Sequence, residues 1–159
     1  MKCAVCGQDH PDDDIELTYV RPDDVFRVPE EQRATRVHES PDFAVLDDRR
    51  FFVRTTLALP VHGRKRDYNI GVWVEVDQDS FQRIVARWED ERQADEPPIP
   101  ARLANAIKSL PDTTGLPVEL RLTGLTSRPS VRVLSTDHPL HAEQANGISV
   151  HRTQDYRAA

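Results

Sequence analysis

The stretches RFFVRTTLALPV (residues 50–61) and YNIGVWVEV (residues 68–76) set the architecture of this chain. In the first, Phe51, Val53, Thr55, Leu57 and Leu59 fall on one side, and Arg50, Arg54 and Thr56 on the other. Side chains alternate across a strand, so a period of two marks a half-buried β-strand. The second stretch repeats the pattern, with Tyr68, Ile70, Val72, Val74 and Val76 in phase. Gly71 and Trp73 share its opposite side, where a residue without Cβ leaves room for a neighbouring aromatic ring. The connection HGRKRD (residues 62–67) is polar, basic and short, so the two strands are expected to pair antiparallel.

Upstream, FAVLD (residues 43–47) reads as a further strand joined through a tight Asp-Asp-Arg turn. PEEQRATRV (residues 29–37) reads as a short helix, with Pro29 at its first position and Glu30 and Glu31 at the positive end of its dipole. The arm before it, punctuated by Pro11, Pro22 and Pro29, has room for one short strand near Ile15 to Tyr19. Downstream the period changes. DSFQRIVARWEDER (residues 79–92) aligns Phe81, Ile84, Val85 and Trp88 on one helical stripe, and Asp79 with Gln82 resembles a capping box. ARLANAIKSL (residues 101–110) aligns Leu103, Ala106, Ile107 and Leu110, which predicts a second amphipathic helix. VELRLTGL (residues 118–125) and SVRVLS (residues 130–135) read as a hairpin, and DHPLHAEQANGI (residues 137–148) as a helix closed by Gly147.

This order predicts an α+β fold with a mainly antiparallel five-stranded sheet, helices packed on one face, and an N-terminal Cys-x-x-Cys knuckle. A single domain over residues 1–159 is expected: an irregular arm to residue 28, a body over 29–150 and a tail over 151–159. The 21 Lys and Arg against 27 Asp and Glu give a formal charge of −6, which argues against a dedicated binder of nucleic-acid backbone. No run approaches the ~18 apolar residues of a membrane helix. The opening MKCAVCGQDHPDDD has no apolar signal region, so a cytoplasmic, reduced protein is expected.

Taken in order, CAVCGQDH, FFVRTTLALPV, GVWVEVDQDSFQRIVARW, PPIPARLANAI, PDTTGL and DHPLHAEQANGI resemble the bacterial domain-of-unknown-function 2199 family, from Cys3 to about Val150. The resemblance implies a cytoplasmic bacterial protein with one domain, and it implies no activity. Members often carry a cysteine just before the first strong strand, where this chain has Asp42-Phe43-Ala44, and an aromatic residue where it has Ile70.

Cys3 and Cys6, the only cysteines, lie two residues apart with Gly7 following and His10 nearby. Cys-x-x-Cys-Gly is half of a tetrahedral zinc site, since two intervening residues let both sulfurs face one point. His10 is the natural third ligand; His38, His62, His138, His141 or a carboxylate among Asp12 to Asp14 would have to complete the shell. Three readings therefore stand in this order: a metal-free reduced knuckle, a zinc site on Cys3, Cys6 and His10, and a redox pair. The last ranks lowest because thioredoxin-like pairs sit at a helix N-terminus that lowers the thiol pKa, whereas this one precedes three aspartates.

Two further clusters are candidates for a binding face. Arg54, Arg64, Lys65 and Arg66 with Trp73 outline cations beside an aromatic surface, the elements of a single-strand nucleic-acid platform; a solvated hairpin loop is the plainer reading. Asp137, His138 and Glu143 bring an imidazole between carboxylates, although Asp137 or His138 also suits a helix N-cap ahead of Pro139. The expectation is a non-enzymatic binding or interaction module, with zinc on the knuckle as the one cofactor it could hold, and a protein partner or a second copy of itself as its partner. A small metal- or histidine-dependent hydrolase stands second, and a zinc-bearing nucleic-acid module third.

Overall fold

The computed structural model describes residues 15–158. Its elements run β1 (Leu17–Thr18), α1 (Asp23–Phe26), α2 (Glu30–Arg36), β2 (Val37–Glu39), β3 (Phe43–Leu46), β4 (Arg50–Leu59), β5 (Tyr68–Val76) and α3 (Gln78–Arg87). A single 3-10 turn follows (Gln93–Asp95), then β6 (Ile99–Leu103), β7 (Pro117–Arg121), β8 (Ser130–Val133), α4 (Pro139–Asn146) and α5 (Val150–Ala158).

The two long strands are the frame. β4 and β5 pair antiparallel from Phe51↔Val76 to Leu59↔Tyr68, in the phase their alternation predicts. Each then divides its other edge between two partners. β4 pairs with β3 at Arg50 to Val53 and, further along, with β8 in parallel at Thr56↔Ser130. β5 pairs with β1 in parallel at Ile70 and Gly71, and with β6 at Val74 and Glu75. With β6–β7 and β7–β8 antiparallel, strands β4 to β8 close into a five-stranded barrel, extended on one side by β3 and β2.

The predicted helix-covered five-stranded sheet is thus corrected to eight strands among the described residues, five of them forming a closed barrel. The main cause is residues 99–110, whose helical spacing of Leu103, Ala106, Ile107 and Leu110 is overridden. Ile99, Ala101 and Leu103 also alternate, and pairing with both β5 and β7 buries all three in the barrel. Pro97, Pro98 and Pro100 favour that extended backbone. The stretch after β6 is held as an irregular loop by Asn105, whose Oδ1 accepts from Trp73 N–H (2.8 Å), and by Thr113, whose Oγ1 donates to Asn105 O (2.7 Å). The expected knuckle at Cys3 and Cys6 lies outside the described residues. β2 has no counterpart in the sequence reading, and part of the expected tail forms α5.

Both faces of the β4–β5 pair are buried, on different cores. Val53, Leu57, Ile70, Val72 and Val74 face the barrel interior, where Thr55 satisfies its hydroxyl by donating to Val72 O (2.7 Å). Phe52 and Trp73 face outward and are covered by Val25 of α1, by Val28 just after it, and by Val37 and Leu46 of β2 and β3. Gly71 lies at a close approach, though not of a ring: a Cβ there would stand 3.1 Å from Ile15 Cγ2 and 3.4 Å from Arg128 Nη1. In α3 the N-cap is Asp77, accepting from Ser80 N–H (2.7 Å), two residues before the expected Asp79. Phe81 and Trp88 pack on Phe43, whereas Val85 turns to solvent. Consecutive left-handed residues, Asp47 and Asp48, make the tight turn into β4.

Candidate functional site

Where β8 leaves β4, the outer face of the barrel opens into a polar cleft of ≈ 340 Å³. Its floor is Thr56 of β4 and Ser130 of β8, which form the one register pair between those strands. The β4–β5 loop and the start of β5 bring Arg66, Asp67 and Asn69; the β7–β8 loop brings Thr123, Ser127 and Arg128. That second loop is braced internally. Thr123 Oγ1 lies 2.6 Å from Ser127 Oγ and donates to Arg128 O (2.9 Å). Such bonds pin the loop backbone and fix where its hydroxyls stand. The Thr56 hydroxyl is buried with no hydrogen-bond partner among the described residues, a condition that costs about 1–3 kcal/mol unless something satisfies it.

One rim of the cleft is built from β1. The Glu16 carboxylate accepts from Asn69 N–H (2.6 Å) and is ion-paired with Arg66, and both of these partners line the cleft. Behind it, burial and the charge of Glu16 raise the Tyr68 phenol above its ordinary pKa. A smaller cleft of ≈ 220 Å³, holding Asp42, Trp88 and Leu125, lies across the wall formed by Ser127 and Arg128. A larger opening of ≈ 630 Å³, lined from the end of β5, from β6 and from the start of β7, includes Glu75, which Arg50 already holds with two hydrogen bonds (2.8 and 2.9 Å).

The candidates read from sequence do not converge. Cys3, Cys6 and His10 lie outside the described residues, and among those described no group of three or more His, Cys, Asp or Glu could hold a metal ion. Of the basic set, Arg66 reaches the cleft, Arg64 and Lys65 are exposed on the loop, and Arg54 lines a separate recess with Arg21 and Glu39. Trp73 is 2% exposed, and its Nε1–H donates to Tyr19 O (2.9 Å), so its ring offers no surface for stacking.

His138 is the N-cap of α4. Its Nδ1 accepts from Leu140 N–H (3.1 Å) and its Nε2 faces Pro111 O (3.2 Å), which fixes the Nε2–H tautomer and engages both ring nitrogens. Glu143 turns away, accepting from Arg152 Nε (2.6 Å) and Tyr156 OH (2.5 Å). Asp137, His138 and Glu143 therefore form no common site. The residues missed, Thr56, Ser127, Arg128 and Ser130, had one sequence signal: an arginine flanked by hydroxyls in the turn TSRPS.

Residues 2–148 match the family described as "Uncharacterized protein conserved in bacteria (DUF2199)". No curated protein and no solved structure matches the chain.

Proposed function

The chain belongs to the DUF2199 family, whose description states no activity, and from that premise we propose that it is a binding module whose ligand is an anion held in the Thr56–Arg66–Arg128 cleft. The observation that carries this reading is the buried Thr56 hydroxyl, which has no partner among the described residues, on the floor of a cleft lined also by Arg66, Arg128 and three further hydroxyls. A hydroxyl donor beside guanidinium groups is the usual way to hold an oxyanion, because charge-assisted hydrogen bonds are roughly twice as strong as neutral ones. Asp67 at the rim limits the total positive charge, which favours a small anion over an extended polyanion.

The test is a titration of the full chain with sodium succinate and with inorganic phosphate, followed by amide chemical shifts. Perturbation centred on Thr56, Ser127 and Ser130 is expected, with Thr56→Val weakening binding about tenfold. No perturbation in the cleft by either anion up to about 10 mM removes the proposal.

A further inference from the structure

We infer that the opening where β5 and β6 part is a second binding site, separate from the Thr56 cleft, and that it takes a small-molecule monocarboxylate with an apolar body. The opening has a cause in the sequence. β5 and β6 pair only at Val74↔Leu103 and Glu75↔Arg102, and Ala104 N–H donates to Trp73 O (2.8 Å) just before those pairs. Hydrogen-bonded pairs alternate along an antiparallel ladder, so continuing the register would next bond Asp77 to Pro100. Proline has no N–H to give. The strands part there, while β6 stays paired with β7 along its other edge. The space left is ≈ 630 Å³, within the range of small-molecule sites.

Its lining divides by chemistry. Val76, Ala101 and Val118 of the barrel core supply an apolar part. Leu134 supplies a lip: its N–H donates to Pro117 O (3.2 Å), which holds it over the start of β7, yet the residue stays 42% exposed. An alkyl or aryl group laid there takes this apolar surface out of water. Four charged side chains line the same opening, and its two carboxylates are already committed. Glu75 accepts from Arg50, and Asp77 caps α3 by accepting from Ser80 N–H (2.7 Å). The guanidinium groups of Arg49 and Arg102 make no hydrogen bond or ion pair among the described residues. The opening therefore presents charged donors whose acceptors it does not itself supply, which a carboxylate matches in shape and charge. With Glu75 and Asp77 alongside, a singly charged anion is favoured over phosphate, which they would repel more strongly.

The experiment titrates the full chain with octanoate, with octanol and acetate as its separate halves, and follows amide chemical shifts. Octanoate is expected to perturb Val76, Ala101 and Leu134, and to bind at least about tenfold more tightly than either half. Changing Arg49→Gln and Arg102→Gln together is expected to weaken octanoate about tenfold; both side chains are exposed, so an unchanged urea midpoint is expected and shows that the fold is kept. Undiminished octanoate affinity in that double variant, or octanol binding as tightly as octanoate, overturns the carboxylate assignment. Acetate binding as tightly as octanoate overturns the apolar half. Inorganic phosphate perturbing the same amides as strongly as octanoate overturns the preference for a single charge. Shifts centred on Thr56 and Ser130, or spread evenly over exposed apolar residues such as Val20 and Phe26, overturn the site itself. The opening and the Thr56 cleft share no lining residue, so the failure of one reading is distinct from the failure of the other.

Discussion

Gln144 sits where β8 and β4 part. Its Oε1 accepts from Val133 N–H (2.8 Å), and its Nε2 donates to Val131 O (2.9 Å) and reaches Ala58 O (3.5 Å). One side-chain amide thereby supplies the donor and acceptor that a peptide group of a neighbouring strand would otherwise supply, at a seam with one register pair. Gln144→Leu fits the same volume and orphans both groups of β8. Its expected cost is about 1–3 kcal/mol, measured as a lower urea midpoint with an unchanged slope. Nothing in the spacing of AEQAN marks this residue, because its partners come from strands at other places in the chain. Gly71 was legible as a position that needs room, but the side chains that fill the room, Ile15 and Arg128, lie far from it in sequence.

Among the elements, α4 was readable to its ends. Pro139 occupies its first turn, His138 caps it, and Gly147 terminates it at φ 83°. Because both imidazole nitrogens of His138 are engaged, His138→Ala is expected to cost about 0.5–2 kcal/mol of stability, and to leave succinate binding in the cleft unchanged. Thermal unfolding and the anion titration together check this. A lost affinity without lost stability would return His138 to a functional role. Residues 99–110 were misread because they satisfy two periods at once. A helical stripe and a strand alternation both fit Leu103, and only the neighbouring edges of β5 and β7, with paired backbone on both sides, select the strand.

At the scale of the molecule, α5 is clamped on the barrel by one buried assembly. Tyr156 is fully buried and stacks on Tyr68 with ring centroids 5.7 Å apart, while Arg152 lies over its ring and donates to Glu143 and Ser109. Burial, then the hydrogen bond to Glu143 and its charge, raise the Tyr156 phenol far above its ordinary value of about 10. Tyr19 and Tyr68, the other two tyrosines, are shifted the same way by burial. A folded-state pKa above the unfolded one means that the stabilisation is complete below pH about 10. It is lost progressively as pH rises above that value, because the unfolded chain releases its protons first. Stability measured from pH 8 upward is therefore expected to hold to about pH 10 and then fall. Tyr156→Phe should be less stable at neutral pH and show a shallower alkaline fall; an equal slope would exclude Tyr156 as a contributor.

By itself the sequence determined what is local. The alternation in RFFVRTTLALPV and YNIGVWVEV fixed two strands, their pairing and which side chains face inward, since neighbouring residues on a strand must point to opposite faces. The cap and end of α4 were equally legible, being made between residues a few positions apart, whereas the cap of α3 was placed two residues late, at Asp79 instead of Asp77. Tertiary structure alone decided that β8 closes on β4, that Trp73 is covered from α1, β2 and β3, and that Glu16, Arg66 and Asn69 meet at one rim. Those outcomes depend on which distant edges and faces satisfy one another's hydrogen bonds and exclude water, and such pairings have no period along the chain.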